Sequence, residues 1–168
     1  MQINKKYILT SVLAATFASA SATADISTEN TYVGLGAGLA SLGKDGVDDS
    51  VATRGFIGKT VNENLAVEVG YINFGQMDIT GTDGYIEITG FEIAPVAVLP
   101  ISMRVNLFLK AGFMAWEAGA DEDGFDLFYA AGGEYLISQE LSVRGAWESY
   151  TIDDLDISVL SANVIFKF

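Results

Sequence analysis

Residues 64–72 read Asn64-Leu65-Ala66-Val67-Glu68-Val69-Gly70-Tyr71-Ile72, and their order decides the fold. In an extended chain Leu65, Val67, Val69 and Tyr71 share one face. Ala66, Glu68, Gly70 and Ile72 share the other. Such period-2 alternation specifies a strand with one apolar side. The opposite side is unusual, because it sets a lone carboxylate among small residues.

The pattern recurs along the chain. Val105, Leu107, Leu109, Ala111 and Phe113 oppose Arg104, Asn106, Phe108, Lys110 and Gly112. Leu141, Val143, Gly145 and Trp147 oppose Ser142, Arg144, Ala146 and Glu148. Leu160, Ala162, Val164, Phe166 and Phe168 oppose Ser161, Asn163, Ile165 and Lys167. Eight strands are predicted: Thr31–Ser41, Val51–Thr60, Leu65–Gly75, Tyr85–Leu99, Met103–Trp116, Phe125–Ile137, Leu141–Thr151 and Ile157–Phe168. The connections Thr60–Asn64, Leu99–Ser102 and Ile137–Glu140 are short. Those around Leu42–Ser50, Gln76–Gly84, Glu117–Gly124 and Ile152–Asp156 are longer and rich in Asp and Gly.

A soluble sandwich puts bulky apolar residues inside and charges outside. Here one face of every strand is apolar enough for lipid, while the other mixes Gly, Ala, hydroxyls and single charges. That inversion belongs to a membrane barrel. Closure lets a chain without spanning helices satisfy its backbone hydrogen bonds in hydrocarbon. The expectation is an all-β fold: an eight-stranded antiparallel up-and-down transmembrane β-barrel. Pro95 fits least well, since it falls on the lipid face of the fourth strand and removes a ladder donor.

Met1–Ala24 reads as a signal peptide. Lys5 and Lys6 form its positive start, Tyr7–Ala20 its apolar centre, and Ala22-Thr23-Ala24 a cleavage site. Residues 25–168 then form one barrel domain, exported to an outer membrane. The chain has no Cys and no His. Disulfides, thiol nucleophiles, His-based triads and His/Cys metal clusters are thereby excluded. Nine basic residues face 22 acidic ones, a net charge of −13. A nucleic-acid partner lacks its basic footprint. No catalytic, cofactor-binding or metal residue is assigned, no cofactor is implied, and the expectation is a protein that is not an enzyme.

Sorting charges by face puts Arg54, Arg104, Lys110, Arg144 and Lys167 inside with Glu68, Glu92, Glu134 and Glu148. An eight-stranded barrel is narrow enough for side chains to fill. Arg54, Glu68, Glu92, Lys110, Glu134, Arg144 and Glu148 are expected to form a static salt-bridge network rather than a gated ion path. Inward Gly34, Gly36, Gly38, Gly58, Gly70, Gly112 and Gly132 leave room for these long side chains. Fourteen further acids, from Asp45 to Asp156, collect at the end with the long loops, opposed there only by Lys44. Long loops face outward in bacterial barrels, so the acidity lies on the external rim. Divalent cations would bridge such a rim to anionic lipopolysaccharide.

Weaker motifs dissolve on inspection. Asp121–Asp126 lacks the closing Glu and flanking helices of an EF-hand. Gly34-Leu35-Gly36-Ala37-Gly38 lacks the third glycine and the following helix of a dinucleotide site. Asp48-Asp49 and Asp153-Asp154 lie in predicted loops with no evident pocket and read as solvated turns. Phe91, Phe113, Tyr71, Tyr129 and Trp147 read as an interfacial aromatic girdle.

Tyr32–Gly38, Asn64–Tyr71, Leu141-Ser142-Val143-Arg144 and the terminal Phe168 together resemble the small eight-stranded outer-membrane barrels, the OmpA-like transmembrane domain and its opacity-type, porin-like relatives. The resemblance spans the whole mature chain. It implies a Gram-negative outer membrane and a charged, hydrogen-bonded interior. It also implies that the barrel-assembly machinery reads the last strand, where Val164, Phe166 and Phe168 stand as the insertion signal. The full OmpA layout adds a C-terminal peptidoglycan-binding domain, which is not expected here. The expected role is structural or surface-interacting at the membrane lipid and lipopolysaccharide, with oligomeric state open. A ligand-binding surface adhesin is one alternative. A soluble lipocalin-like barrel holding an apolar ligand is another, and the inward charges oppose it.

Overall fold

The computed structural model describes residues 29–43, 47–78, 84–119, 122–152 and 155–168. The signal peptide assigned to residues 1–24 lies outside them. The alternating segments form β1 (Thr31–Ser41), β2 (Ser50–Asn62), β3 (Leu65–Asp78), β4 (Tyr85–Pro100), β5 (Val105–Ala118), β6 (Glu122–Leu136), β7 (Leu141–Ile152) and β8 (Leu155–Lys167). Each pairs antiparallel with its neighbours in chain order, and β1 closes on β8. Closure leaves no edge strand to aggregate or to sit unpaired in lipid.

Strands continue through much of what reads as loop in sequence. Met77↔Ile86 and Asp78↔Tyr85 still pair β3 with β4. Ala118↔Glu122 pairs β5 with β6, and Ile152↔Leu155 pairs β7 with β8. Asp and Gly mark these stretches as turns, but the neighbouring strand satisfies their backbone, and Met77 and Ile152 bury inward. β3, β4, β5 and β6 reach 14, 16, 14 and 15 residues. Crossing a bilayer takes ~9–11, so these strands overhang it.

At the opposite end two turns are built alike. Ser102 Oγ accepts from the Val105 N–H at 3.1 Å, and Ser138 Oγ accepts from the Leu141 N–H at 3.1 Å. The first of these turns corrects the start of the fifth strand. Met103 is 97% exposed and Arg104 is exposed in the turn, not inside the barrel. The serine caps the turn through Arg104, so the ladder begins only at Val105.

Two irregularities have clear causes. A bulge between Asn73 and Gln76 puts Gly75 at φ 78°, with its N–H donated to Asn73 Oδ1 at 2.7 Å. A Cβ there would lie 2.5 Å from the Val51 carbonyl oxygen, so glycine is required. Pro95 is accommodated without a register change. The β4–β5 pairing runs from Ile93↔Phe113 to Val96↔Lys110 at constant offset, interrupted only across Ala94 and Pro95.

The outer surface is the apolar belt read from sequence. Leu35, Leu109, Leu127 and Leu160 are each more than half exposed. Tyr71 packs edge-on to Phe91 at 5.1 Å, Tyr129 lies 5.7 Å from Trp147, and Phe113 stacks on Phe125 at 5.1 Å, all on this outer face.

Candidate functional site

Strand parity delivers one charged side chain after another into the lumen. Arg54 comes from β2, Glu68 from β3, Glu92 from β4, Lys110 from β5 and Glu134 from β6. Arg144 and Glu148 come from β7 and Lys167 from β8. Together they form a chain of alternating sign. Lys167 Nζ lies 2.6 Å from Glu134, and Arg144 lies 2.9 Å from Glu134 and 2.5 Å from Glu68. Lys110 Nζ lies 3.2 Å from Glu68 and 3.4 Å from Glu92. Arg54 lies 2.7 Å from Glu92 and also pairs with Glu148. All seven sequence-selected charges are therefore brought together, and Lys167 joins them at the turn end. With Arg104 outside, four cations face four carboxylates. A buried charge is tolerated when paired and hydrogen-bonded, and this balance leaves the chain of ion pairs neutral.

Neutral donors complete the carboxylates. Tyr32 Oη donates to Glu68 at 2.8 Å, Ser142 Oγ to Glu134 at 2.9 Å, and Ser161 Oγ to Glu148 at 2.7 Å. Tyr150 Oη stands 2.7 Å from Glu92 and 2.5 Å from Glu148, placed to donate to either. Inward parity marks these partners in sequence, yet it does not say which carboxylate each one meets.

Aromatic rings pack against the cations. The Arg144 guanidinium lies 4.7 Å from the Phe108 ring centre and 5.5 Å from that of Phe56. Lys110 Nζ lies 5.1 Å from the Phe128 ring. Contacts of this kind stabilise a desolvated cation by up to ~2 kcal/mol. Two of the inward glycines, Gly34 and Gly58, make room for rings rather than for the long charged chains expected above them. A Cβ at Gly34 would lie 2.1 Å from the Phe56 ring, and one at Gly58 would lie 2.0 Å from the Tyr32 ring. These glycines let the aromatic faces lie flat on the wall.

Above the charge chain, toward the loop end, the lumen changes character. Phe74, Phe128, Ile72, Met77, Met114, Ile152 and Ile157 bury together there. Phe74 meets Tyr150 edge-on at 4.9 Å, and Phe128 stacks on Tyr150 at 5.2 Å. This apolar plug corrects the expectation of an inward face made only of small residues, hydroxyls and charges. Parity marks Ile72, Phe74, Met114, Phe128 and Ile157 as inward within the predicted strands, and only Met77 and Ile152 lie past a predicted strand end. Tyr150 joins the two zones, its ring in the plug and its hydroxyl in the charge chain.

Several of the acids at the loop end ride on strands rather than on loops. Glu87, Glu117, Glu122 and Asp123 are exposed on the overhanging parts of β4, β5 and β6. Asp126 departs from the rim. It turns inward and accepts from Trp116 Nε1 at 2.7 Å. Lys44, Asp45, Asp83, Asp121, Asp153 and Asp154 lie outside the described residues. Among the described residues, no group of three or more Asp or Glu side chains could hold a metal ion. At the closing seam, Val164 and Phe166 face outward on β8, and the Phe168 N–H donates to the Thr31 carbonyl at 2.9 Å.

An apolar outside, a neutral charged inside and full closure define a transmembrane β-barrel. The chain belongs to the outer membrane protein beta-barrel domain family, whose model matches residues 10–168. It is thus a protein of the bacterial outer membrane. Solved structures agree in fold. Neisserial surface protein A superposes with a TM-score of 0.67 at 17% identity, over 83% of this chain and 98% of that one. Ail, the attachment invasion locus protein of Yersinia pestis, gives 0.61 at 16% identity, over 83% and 99%. The N-terminal β-barrel domain of Pseudomonas aeruginosa OprF gives 0.55 at 13% identity, over 83% and 98%. No curated protein matches the sequence significantly.

Proposed function

We propose that this protein is a sealed, non-enzymatic structural barrel whose acidic outer rim meets lipopolysaccharide through divalent cations. The observation that carries this reading is the unbroken chain of seven ion pairs beneath an apolar plug. An ion crossing the lumen would have to separate buried partners and then enter hydrocarbon-like packing, and both are costly. Folded protein in planar bilayers is expected to stay silent. Steady conductance from a sample whose heat-modifiability shows it folded would overturn the sealed reading.

The rim reading rests on charge. Exposed carboxylates on β4, β5 and β6 would repel anionic lipid heads unless cations lie between them. In bilayers containing lipopolysaccharide, removing Mg²⁺ and Ca²⁺ with EDTA is expected to lower the unfolding temperature. An unchanged temperature removes the cation bridge from the proposal. Ail has been solved in complex with the heparin analogue sucrose octasulfate. The acidic rim of the present chain is expected to repel such a polyanion. Val164, Phe166 and Phe168 supply the alternating C-terminal strand that the assembly machinery would read.

A further inference from the structure

Three buried polar atoms in the lumen find no hydrogen-bond partner within the protein: Arg54 Nε, Glu68 Oε2 and Asn163 Oδ1. Glu68 Oε2 is 3.2 Å from Lys110 Nζ, an ion pair without a hydrogen bond. Leaving a buried donor or acceptor unsatisfied costs ~1–3 kcal/mol, so three in one lumen call for a common cause. All three residues line the same cavity of about 10 Å³ within the charge chain. That is the space of one water molecule, roughly 10–15 Å³ by the same measure.

We propose that this cavity is a binding site for one ordered water. The water accepts from the Arg54 Nε–H and donates to Asn163 Oδ1 and Glu68 Oε2. Three bonds is the usual complement of a buried water. The donor–acceptor count selects the occupant. A halide would accept from Arg54 but face two acceptor oxygens. A metal cation would suit the oxygens but face an N–H. Only an occupant that both donates and accepts satisfies one donor and two acceptors, and a neutral one keeps the four-to-four charge balance.

The water also closes a ring whose other bonds are already present. Asn163 Nδ2 donates to Ser161 Oγ at 3.2 Å, Ser161 Oγ donates to Glu148 at 2.7 Å, and Arg54 donates to Glu148. With Arg54 to water and water to Asn163, every donor in the ring meets an acceptor. The ring ties Arg54, the last cation beneath the plug, to β8, with which it shares no direct hydrogen bond in this network. The inference concerns the lumen alone and stands whether or not the rim binds cations.

A high-resolution crystal structure of the folded barrel tests it. A density peak is expected within ~2.7–3.2 Å of Arg54 Nε, Asn163 Oδ1 and Glu68 Oε2. A bromide soak should leave that peak without anomalous signal. In nanodiscs, the Arg54 Nε–H should show a cross-peak to a long-lived water, and Asn163→Leu should abolish it. An empty cavity, an anomalous bromide peak, or an Arg54 Nε–H bonded to a protein group overturns the proposal. The crystal and bromide results come from the unaltered protein, so a variant that fails to fold leaves the test intact.

Discussion

The lumen holds two solutions to one problem, stacked along the barrel axis. Toward the turns, charges that alternate in sign are packed among a smaller set of apolar side chains that includes Phe56, Phe108, Val96 and Ile165. Toward the loops the lumen is filled by rings and branched chains. Both exclude bulk water, but they do so by different physics. The plug is held by burial, which is non-directional and grows with area. The charge chain is held by geometry, because each buried charge is costly unless its partner is in place. The plug should therefore yield gradually to mutation, and the chain abruptly.

The largest expected effect comes from removing one link. Arg144→Met takes from Glu68 and Glu134 the guanidinium that bonds them at 2.5 and 2.9 Å respectively, leaving four carboxylates to three cations. A loss of ~3–5 kcal/mol is expected from urea unfolding in detergent. Adding Glu134→Gln should recover part of that loss. A double variant as unstable as the sum of its parts would show that the chain is no more directional than the plug.

Tyr150→Phe probes the junction. It keeps the ring that stacks on Phe128 and removes the hydroxyl shared by Glu92 and Glu148. A loss of ~1.5–3 kcal/mol is expected, the range for bonds to charged groups. A neutral result would mean that the zones are joined by packing alone. Within the plug, Ile157→Val deletes one methylene from a fully buried site. A loss of ~0.5–1.5 kcal/mol is expected, adding to Arg144→Met within ~0.5 kcal/mol because the two share no partner. Strong coupling between them would merge the two zones into one.

Outside the lumen the effect should be smallest. Glu122→Gln on the rim is expected to change stability in detergent by no more than ~0.5 kcal/mol. Its effect should instead appear as a weaker response of the unfolding temperature to Mg²⁺ in lipopolysaccharide-containing bilayers. An unchanged response would free Glu122 from any cation bridge.

How much of this was legible follows from period and parity. Alternation at Leu65–Ile72 fixes which side of β3 meets lipid, and a one-residue slip would turn Glu68 outward. Any closed barrel with that parity must gather Arg54, Glu68, Glu92, Lys110, Glu134, Arg144 and Glu148 inside. Arg104 escaped the rule because Ser102 caps a turn through it, and a turn breaks parity. Asp126 was assigned to the rim on its acidic neighbours, although it alternates with Phe128 and faces Trp116.

Sequence alone thus determined strand number, the lipid face and the near-neutral inner charge, because all three depend on the side-chain period of a single strand. Only the tertiary structure decided who pairs with whom. The order Lys167, Glu134, Arg144, Glu68, Lys110, Glu92, Arg54, Glu148 depends on stagger between strands far apart in the chain. The plug is tertiary for the same reason. Phe74, Phe128 and Tyr150 lie on β3, β6 and β7 and meet only when the sheet closes on itself. The cavity beside Arg54 and Asn163 belongs with it, since a space has no residue of its own in the sequence.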